Sequence, residues 1–86
     1  MKLLLCKRCQ DVFKLQVDLP RQCLCGATKG HYTDGVNAVY SGDNAVPIGF
    51  ANSTFADAVN SQPKEGMGKE FKAFVIPKVC DSFVKE

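Results

Sequence analysis

Four cysteines in the first third of the chain constrain its fold more than any other feature. Cys6 and Cys9 stand in a Cys-Lys-Arg-Cys knuckle, and Cys23 and Cys25 in a Cys-Leu-Cys-Gly knuckle. Two close pairs separated by a short spacer can hold one tetrahedral Zn²⁺, because each tight turn supplies two thiolates and the spacer returns the chain. A Cys₄ site of this kind is closed. It keeps no open position for water or substrate, so the metal stabilises a fold and does not polarise a reactant. The second pair is Cys-x-Cys where Cys-x-x-Cys is commoner, which leaves its geometry for the structure to decide.

Disulfides and redox chemistry are the alternatives to zinc. Two disulfides would suit a small secreted domain, yet the apolar run in Met1-Lys2-Leu3-Leu4-Leu5 is far too short for a signal peptide. The Leu-Leu-Leu-Cys string has the look of a lipoprotein cleavage site but lacks the long apolar region before it, so Cys6 reads as a ligand and not as a lipid anchor. A redox Cys-x-x-Cys normally sits between a strand and a helix, whereas Gln10-Asp11-Val12-Phe13 leads from the first knuckle into a strand pattern. The reading is therefore structural zinc in a cytoplasmic protein.

Eighty-six residues make one domain, read as a zinc-ribbon part over 1–30 and a β-rich part with one helix near 53–61 over 31–86. A chain this short buries only about 60% of its unfolded surface, so a metal cross-link has a clear physical purpose. No apolar run is long enough to cross a membrane, and no repeat or low-complexity segment is evident. The net charge of +2 is too small to imply nucleic acid by itself. Lys7, Arg8, Arg21 and Lys29 do surround the knuckles, as they would if the zinc module touched phosphates, but Asp11 and Asp18 dilute the patch and such residues commonly solvate zinc knuckles.

Hydropathy patterning predicts an α+β fold: a small, mostly antiparallel β domain with an N-terminal zinc ribbon and one short helix. Lys2 to Leu5 reads as a strand entering the first knuckle, and Phe13, Leu15, Val17 and Leu19 alternate with polar residues as a half-buried strand until Pro20. Val36, Ala38 and Tyr40 suggest another strand, with a turn at Ser41-Gly42-Asp43-Asn44. Residues 46–51 contain Pro47 and Gly49 and read as an edge or bulged strand. Asn52, Ser53 or Thr54 can cap a helix that runs to about residue 61 and stops at Gln62-Pro63-Lys64. Glu70 to Ile76 gives the strongest strand pattern, with both faces apolar enough to be covered, one by core and the other by a second subunit, and Val79 to Val84 a terminal strand.

Two further segments can carry function. In Gly49-Phe50-Ala51-Asn52-Ser53-Thr54, small residues and hydroxyls precede a helix whose unpaired N–H groups suit an anion; simple capping is the competing explanation. In Lys64-Glu65-Gly66-Met67-Gly68-Lys69, glycines let backbone amides approach a ligand and lysines can meet a phosphate; an ordinary solvated loop is the competing explanation, and the Walker spacing is absent. His31 reads as a polar loop or core residue, and Cys80, in an apolar stretch, as a buried free thiol. No nucleophile, base and acid come together in the sequence, so the chain reads as a non-enzyme.

Taken together, Cys6 to Cys9, Cys23 to Gly26, Tyr40-Ser41-Gly42, Gly49 to Ser53, Gln62-Pro63, Gly66-Met67-Gly68 and Phe74-Val75-Ile76-Pro77 resemble a family of small uncharacterised bacteriophage and prophage proteins with an N-terminal Cys₄ zinc ribbon. The resemblance covers nearly the full chain. It implies a protein that acts on host machinery in the host cytoplasm, either by binding a host protein or nucleic acid or by sequestering a nucleotide immune signal in an oligomeric pocket. The preferred expectation is a homo-oligomeric anti-defence sponge for a small anionic, nucleotide-like ligand. Its contacts would be the helix start at Asn52, Ser53 and Thr54, the lysines Lys64 and Lys69, and Phe50 or Tyr32 for base stacking. The alternative is a zinc-ribbon adaptor that grips a host protein or nucleic acid through Lys7, Arg8, Arg21 and Lys29.

Overall fold

Three consecutive leucines give β1 (Lys2–Cys6) two apolar faces, and the strand is accordingly interior to its sheet. The computed structural model describes residues 1–86. In it β1 pairs antiparallel with β2 (Val12–Lys14) on one side and β6 (Ala45–Phe50) on the other, and β6 pairs antiparallel with β7 (Ala73–Val75). The second sheet joins β3 (Arg21–Gln22), β4 (Lys29–Tyr32), β5 (Ala38–Ser41) and β8 (Phe83–Lys85) in that order. Its pairings are antiparallel except the last, in which β8 runs parallel to β5. The single helix is α1 (Asn52–Asn60), so the fold is the α+β, mostly antiparallel class that the sequence predicts. No helix is long and apolar enough to cross a membrane.

Both sheets contribute to one core. Leu4 and Phe13 come from the first sheet, Ala38, Tyr40 and Phe83 from the second, and Leu15 and Ile76 from the segments that leave β2 and β7. Burying a side chain such as Leu4 or Phe83 contributes about 1.5–3 kcal/mol relative to exposure. Phe83 meets Tyr40 edge to face, with ring centroids 5.1 Å apart. The sheets approach closely at Gly30, where a Cβ would lie 2.7 Å from Leu4 Cδ1 and 3.0 Å from the Val39 carbonyl oxygen.

Several local expectations are corrected. The alternation from Phe13 to Leu19 supports a strand only through Lys14: Phe13 and Leu15 are buried, whereas Val17 and Leu19 are more than half exposed. Asp18 adopts φ +54° and Gln16 bridges to Leu19, so a tight local turn replaces the expected continuation of the strand before Pro20. Val36 lies exposed in the loop before β5 instead of extending it. The Pro47 strand is interior and not an edge. Odd residues of β6 turn their backbone toward β7, as the Ala51 N–H to Lys72 oxygen bond of 2.9 Å shows, while Phe50 donates to the Met1 oxygen on the β1 side. Pro47 therefore lacks its N–H only where β7 is ending, and its carbonyl still accepts from Ile76 at 2.9 Å.

The strand expected over Glu70 to Ile76 shrinks to three residues at a sheet edge, because Phe71 is drawn instead into a cluster with Phe50 and Phe55, at centroid distances of 4.9 Å to each. The terminal strand begins at Phe83, after a turn closed by the Phe83 N–H to Cys80 oxygen bond of 3.2 Å. At the helix start the N-cap is Ala51 and no side chain caps, contrary to the assignment of Asn52, Ser53 or Thr54. Asn52 Oδ1 instead accepts from the Met1 amino group at 2.6 Å. Thr54 donates its hydroxyl proton to the Ala51 carbonyl and accepts from the Lys72 N–H at 2.9 Å, tying the helix to the entry of β7.

Candidate functional site

Each cysteine knuckle is the loop of a β-hairpin, and the two hairpins belong to different sheets. Cys6 ends β1 and Cys9 lies in the turn toward β2 in the first sheet; Cys23 and Cys25 lie between β3 and β4 in the second. A backbone hydrogen bond closes each knuckle, over five residues at the first and four at the second. The Gln10 N–H donates to the Cys6 oxygen at 2.7 Å and the Gly26 N–H to the Cys23 oxygen at 3.0 Å, and Gln10 and Gly26, each directly after the second cysteine, take φ of +62° and +79°. Gly26 does this without a Cβ penalty; Gln10 does not.

The four sulfurs converge. All lie within 4.8 Å of one another, with Cys23 and Cys25 at 3.5 Å and Cys6 and Cys25 at 3.8 Å. Four sulfurs about 2.3 Å from a central ion stand about 3.8 Å apart in a tetrahedron. All five cysteines are free thiols, so the cluster can hold a metal ion and contains no disulfide. The Cys-x-Cys pair thus reaches ligand geometry despite its short spacing.

The surroundings favour thiolates at defined positions. The fully buried Thr28 hydroxyl has no hydrogen-bond partner and stands near enough to Cys6 to act on its sulfur. That hydroxyl, followed by the Cys9 amide, draws the Cys6 thiol down to about 6 against the effect of burial. Burial pushes the Cys23 thiol up, but the Thr28 N–H, 3.3 Å from its sulfur, and the Cys25 thiol outweigh it and leave Cys23 below its ordinary value. At Cys25 the Ala27 amide favours the thiolate, yet burial and the three neighbouring thiols prevail and push it up to about 11. Four thiols this close cannot all ionise unless a cation stands among them, which is the condition a metal meets.

Two residues of the site carry weight that their sequence context did not announce. Asp11, which the sequence presents only as a charge beside the basic residues, accepts from the Leu24 N–H at 3.1 Å and so joins the two knuckles. Thr28 is the other; its one sequence signal is a hydroxyl three residues after the last ligand. The turn from β5 to β6 meets the same end of the molecule. The Lys7 N–H donates to the Asn44 oxygen at 2.9 Å, and Gly42, at φ +119°, passes so close to Ala27 that a Cβ would lie 2.3 Å from its carbonyl oxygen.

The other candidate residues divide between two clefts. Lys64 and Lys69 line a cleft of about 570 Å³ between α1 and the segment to Phe71, together with Phe55, Val59 and Met67. Tyr32, Phe50 and Asn52 line a second cleft of about 430 Å³ with Phe74 and Cys80. Ser53 is exposed on the helix and Thr54 is occupied with Lys72, and neither lines either of these two clefts. Tyr32 accepts through its hydroxyl from the Lys2 N–H at 3.0 Å, with the Lys2 ammonium 5.5 Å from its ring centroid. Cys80 is partly exposed and not buried, because it lies in the turn before β8; the Ser82 hydroxyl at 3.5 Å lowers its thiol. His31 is half-buried in β4 opposite Val39. Lys7, Arg8, Arg21 and Lys29 are all exposed, and Arg21 donates to the Lys14 oxygen at 2.7 Å.

Comparison with protein-family models, curated proteins and solved structures finds no match to this chain.

Proposed function

We propose that the protein is a non-enzymatic, zinc-stabilised binding protein that takes a small anionic, nucleotide-like ligand in the cleft between α1 and residues 62–71. One observation carries the reading. Lys64 and Lys69 line the same cleft as Phe55 and Phe71, two cations against the one carboxylate of Glu65 and beside aromatic side chains, the combination that suits phosphate together with a base. The cleft volume lies within the range of small-molecule sites. Four thiolates in tetrahedral reach favour zinc over magnesium or calcium, which take oxygen ligands. Cys6, Cys9, Cys23 and Cys25 would hold the ion, and its contribution there is structural. Free thiols throughout suit a reducing cytoplasm.

The resemblance to phage proteins extends the proposal to an anti-defence sponge that sequesters a nucleotide immune signal in the host. Calorimetric titration with cyclic dinucleotides and ADP-ribose derivatives tests it. Binding that Lys64→Ala with Lys69→Ala abolishes is the expected result, and no binding to any member of the panel sinks the reading.

A second reading has its own observation. Leu24 is 87% exposed at the tip of the second knuckle, and Lys7 and Arg8 are exposed on the first. An apolar tip with nearby cations suits a zinc-ribbon adaptor that contacts a host protein or nucleic acid. Charge reversal at Lys7, Arg8, Arg21 and Lys29 separates the two: it would abolish partner capture by the adaptor and leave nucleotide binding in the cleft unchanged.

A further inference from the structure

The edge strand β7 leaves apolar side chains and backbone groups open to solvent. Phe74 and Val75 are 53% and 68% exposed, although the Phe74 ring is already held on the sheet: a Cβ at Gly49 would lie 2.6 Å from it. Lys72 and Ile76 turn their backbone groups toward β6, through the bonds to Ala51 and Pro47. By strand alternation Ala73 and Val75 turn theirs outward, leaving two N–H and two C=O groups in an open row.

We propose that this row pairs antiparallel with the β7 of a second copy of the chain, about a two-fold axis through Phe74. Outward-facing residues must meet outward-facing residues, which allows only shifts of two. With the axis at Phe74, Ala73 and Val75 exchange both bonds with their counterparts, four in all, and the two Phe74 side chains face each other directly. β7 itself spans Ala73–Val75 and the chain bends at Lys78, so pairing that draws out its flanks in the same register would bring Glu70 toward Lys78 of the second copy, twice by symmetry, and Lys72 beside Ile76. Moving the axis to Val75 would set Lys72 against Lys78 and require an N–H from Pro77, which has none. Moving it to Ala73 sets Glu70 against Ile76 and forms no ion pair. Charge and proline therefore select one register. The pairing covers Phe74 and joins the first sheets of two copies into one eight-stranded sheet. An interface built on one strand pair is small, which puts the dimer among weak, concentration-dependent associations.

Sedimentation of the zinc-loaded full chain without nucleotide, over a wide concentration range, tests this. A reversible dimer is expected. Val75→Pro removes an outward N–H that no bond within the chain uses, so it should give a monomer with unchanged metal content and circular dichroism. Glu70→Lys turns two attractions into two repulsions and should raise the dimer Kd about tenfold. Glu70→Lys combined with Lys78→Glu should bring it back. A monomer at every concentration, a dimer indifferent to Val75→Pro, or one that the double reversal fails to restore overturns the inference. Because ligand is left out, failure here does not touch the nucleotide reading, and failure of the titration does not touch the dimer.

Discussion

Removing the metal from the four-sulfur centre should part the two sheets and not merely loosen a surface turn. The hairpin carrying Cys6 and Cys9 belongs to one sheet and that carrying Cys23 and Cys25 to the other, so a metal ion held by the four would clamp the layers together. Cys6 and Cys23 are also members of the nine-residue core cluster, and four crowded thiols would replace the ion at its edge. The other direct link between the knuckles is the Asp11 to Leu24 bond, a hydrogen bond to a charged group worth about 1.5–3 kcal/mol. Structural zinc supplies about 10–16 kcal/mol in small thiolate sites. At about 0.05–0.15 kcal/mol per residue the whole domain has only about 4–13 kcal/mol to lose. The clamp is thus comparable with the entire stability of the fold.

The assay is thermal unfolding by circular dichroism of the reduced protein, with and without excess chelator, beside a metal count on the purified chain. One zinc per chain and loss of the cooperative transition on chelation are expected, with recovery when zinc returns. Cobalt should restore folding as well and give the absorption bands of a tetrahedral tetrathiolate. A chelated, reduced protein that melts unchanged would refute the reasoning, since the metal would then contribute little to holding the sheets together.

Two other outcomes follow from single positions. Gly30→Ala should cost about 1–3 kcal/mol in urea unfolding, because its Cβ meets the Val39 backbone oxygen as well as Leu4, whereas Gly35→Ala, in open space, should cost far less. The Asp34 carboxyl, held by the Asn37 amide, the Asn37 side chain and the Val36 amide, is drawn from its ordinary 3.8 down to about 2. Its folded value lies below its unfolded one, so its contribution to stability is present above pH 3.8 and is lost as pH falls through about 2. A carbon-detected titration should find that midpoint, and Asn37→Ala should raise it.

The cysteine spacing made the four-sulfur cluster legible because ligand chemistry is written in residue type and separation. It did not reveal that the two knuckles lie in different sheets, since strand order depends on pairings between distant residues such as Leu3 with Ile48. The strands at Leu3 to Leu5 and at Ala38 with Tyr40 were readable, because apolar side chains such as Leu3, Leu4, Ala38 and Tyr40 are buried where the pattern places them. Val17 and Leu19 misled because a tight turn at Asp18 is decided by backbone conformation and not by hydropathy. Pro47 misled for a subtler reason: a proline can occupy an interior strand where the neighbouring strand runs out. Around the helix, Asn52 and Thr54 have the composition of caps, but distant groups, the Met1 amine and the Lys72 N–H, claim their oxygens.

The parallel union of β5 with β8 bears on how the chain is made. Phe83, wholly enclosed and set against Tyr40, arrives only when nearly all of the preceding sequence has been synthesised. The knuckles can capture their ion while the nascent chain is still growing, but the interior stays open on one side until the last strand emerges. A ribosome that stalls or terminates before residue 83 would release a fragment whose core lacks Phe83, with Tyr40 uncovered on that side to proteases and chaperones.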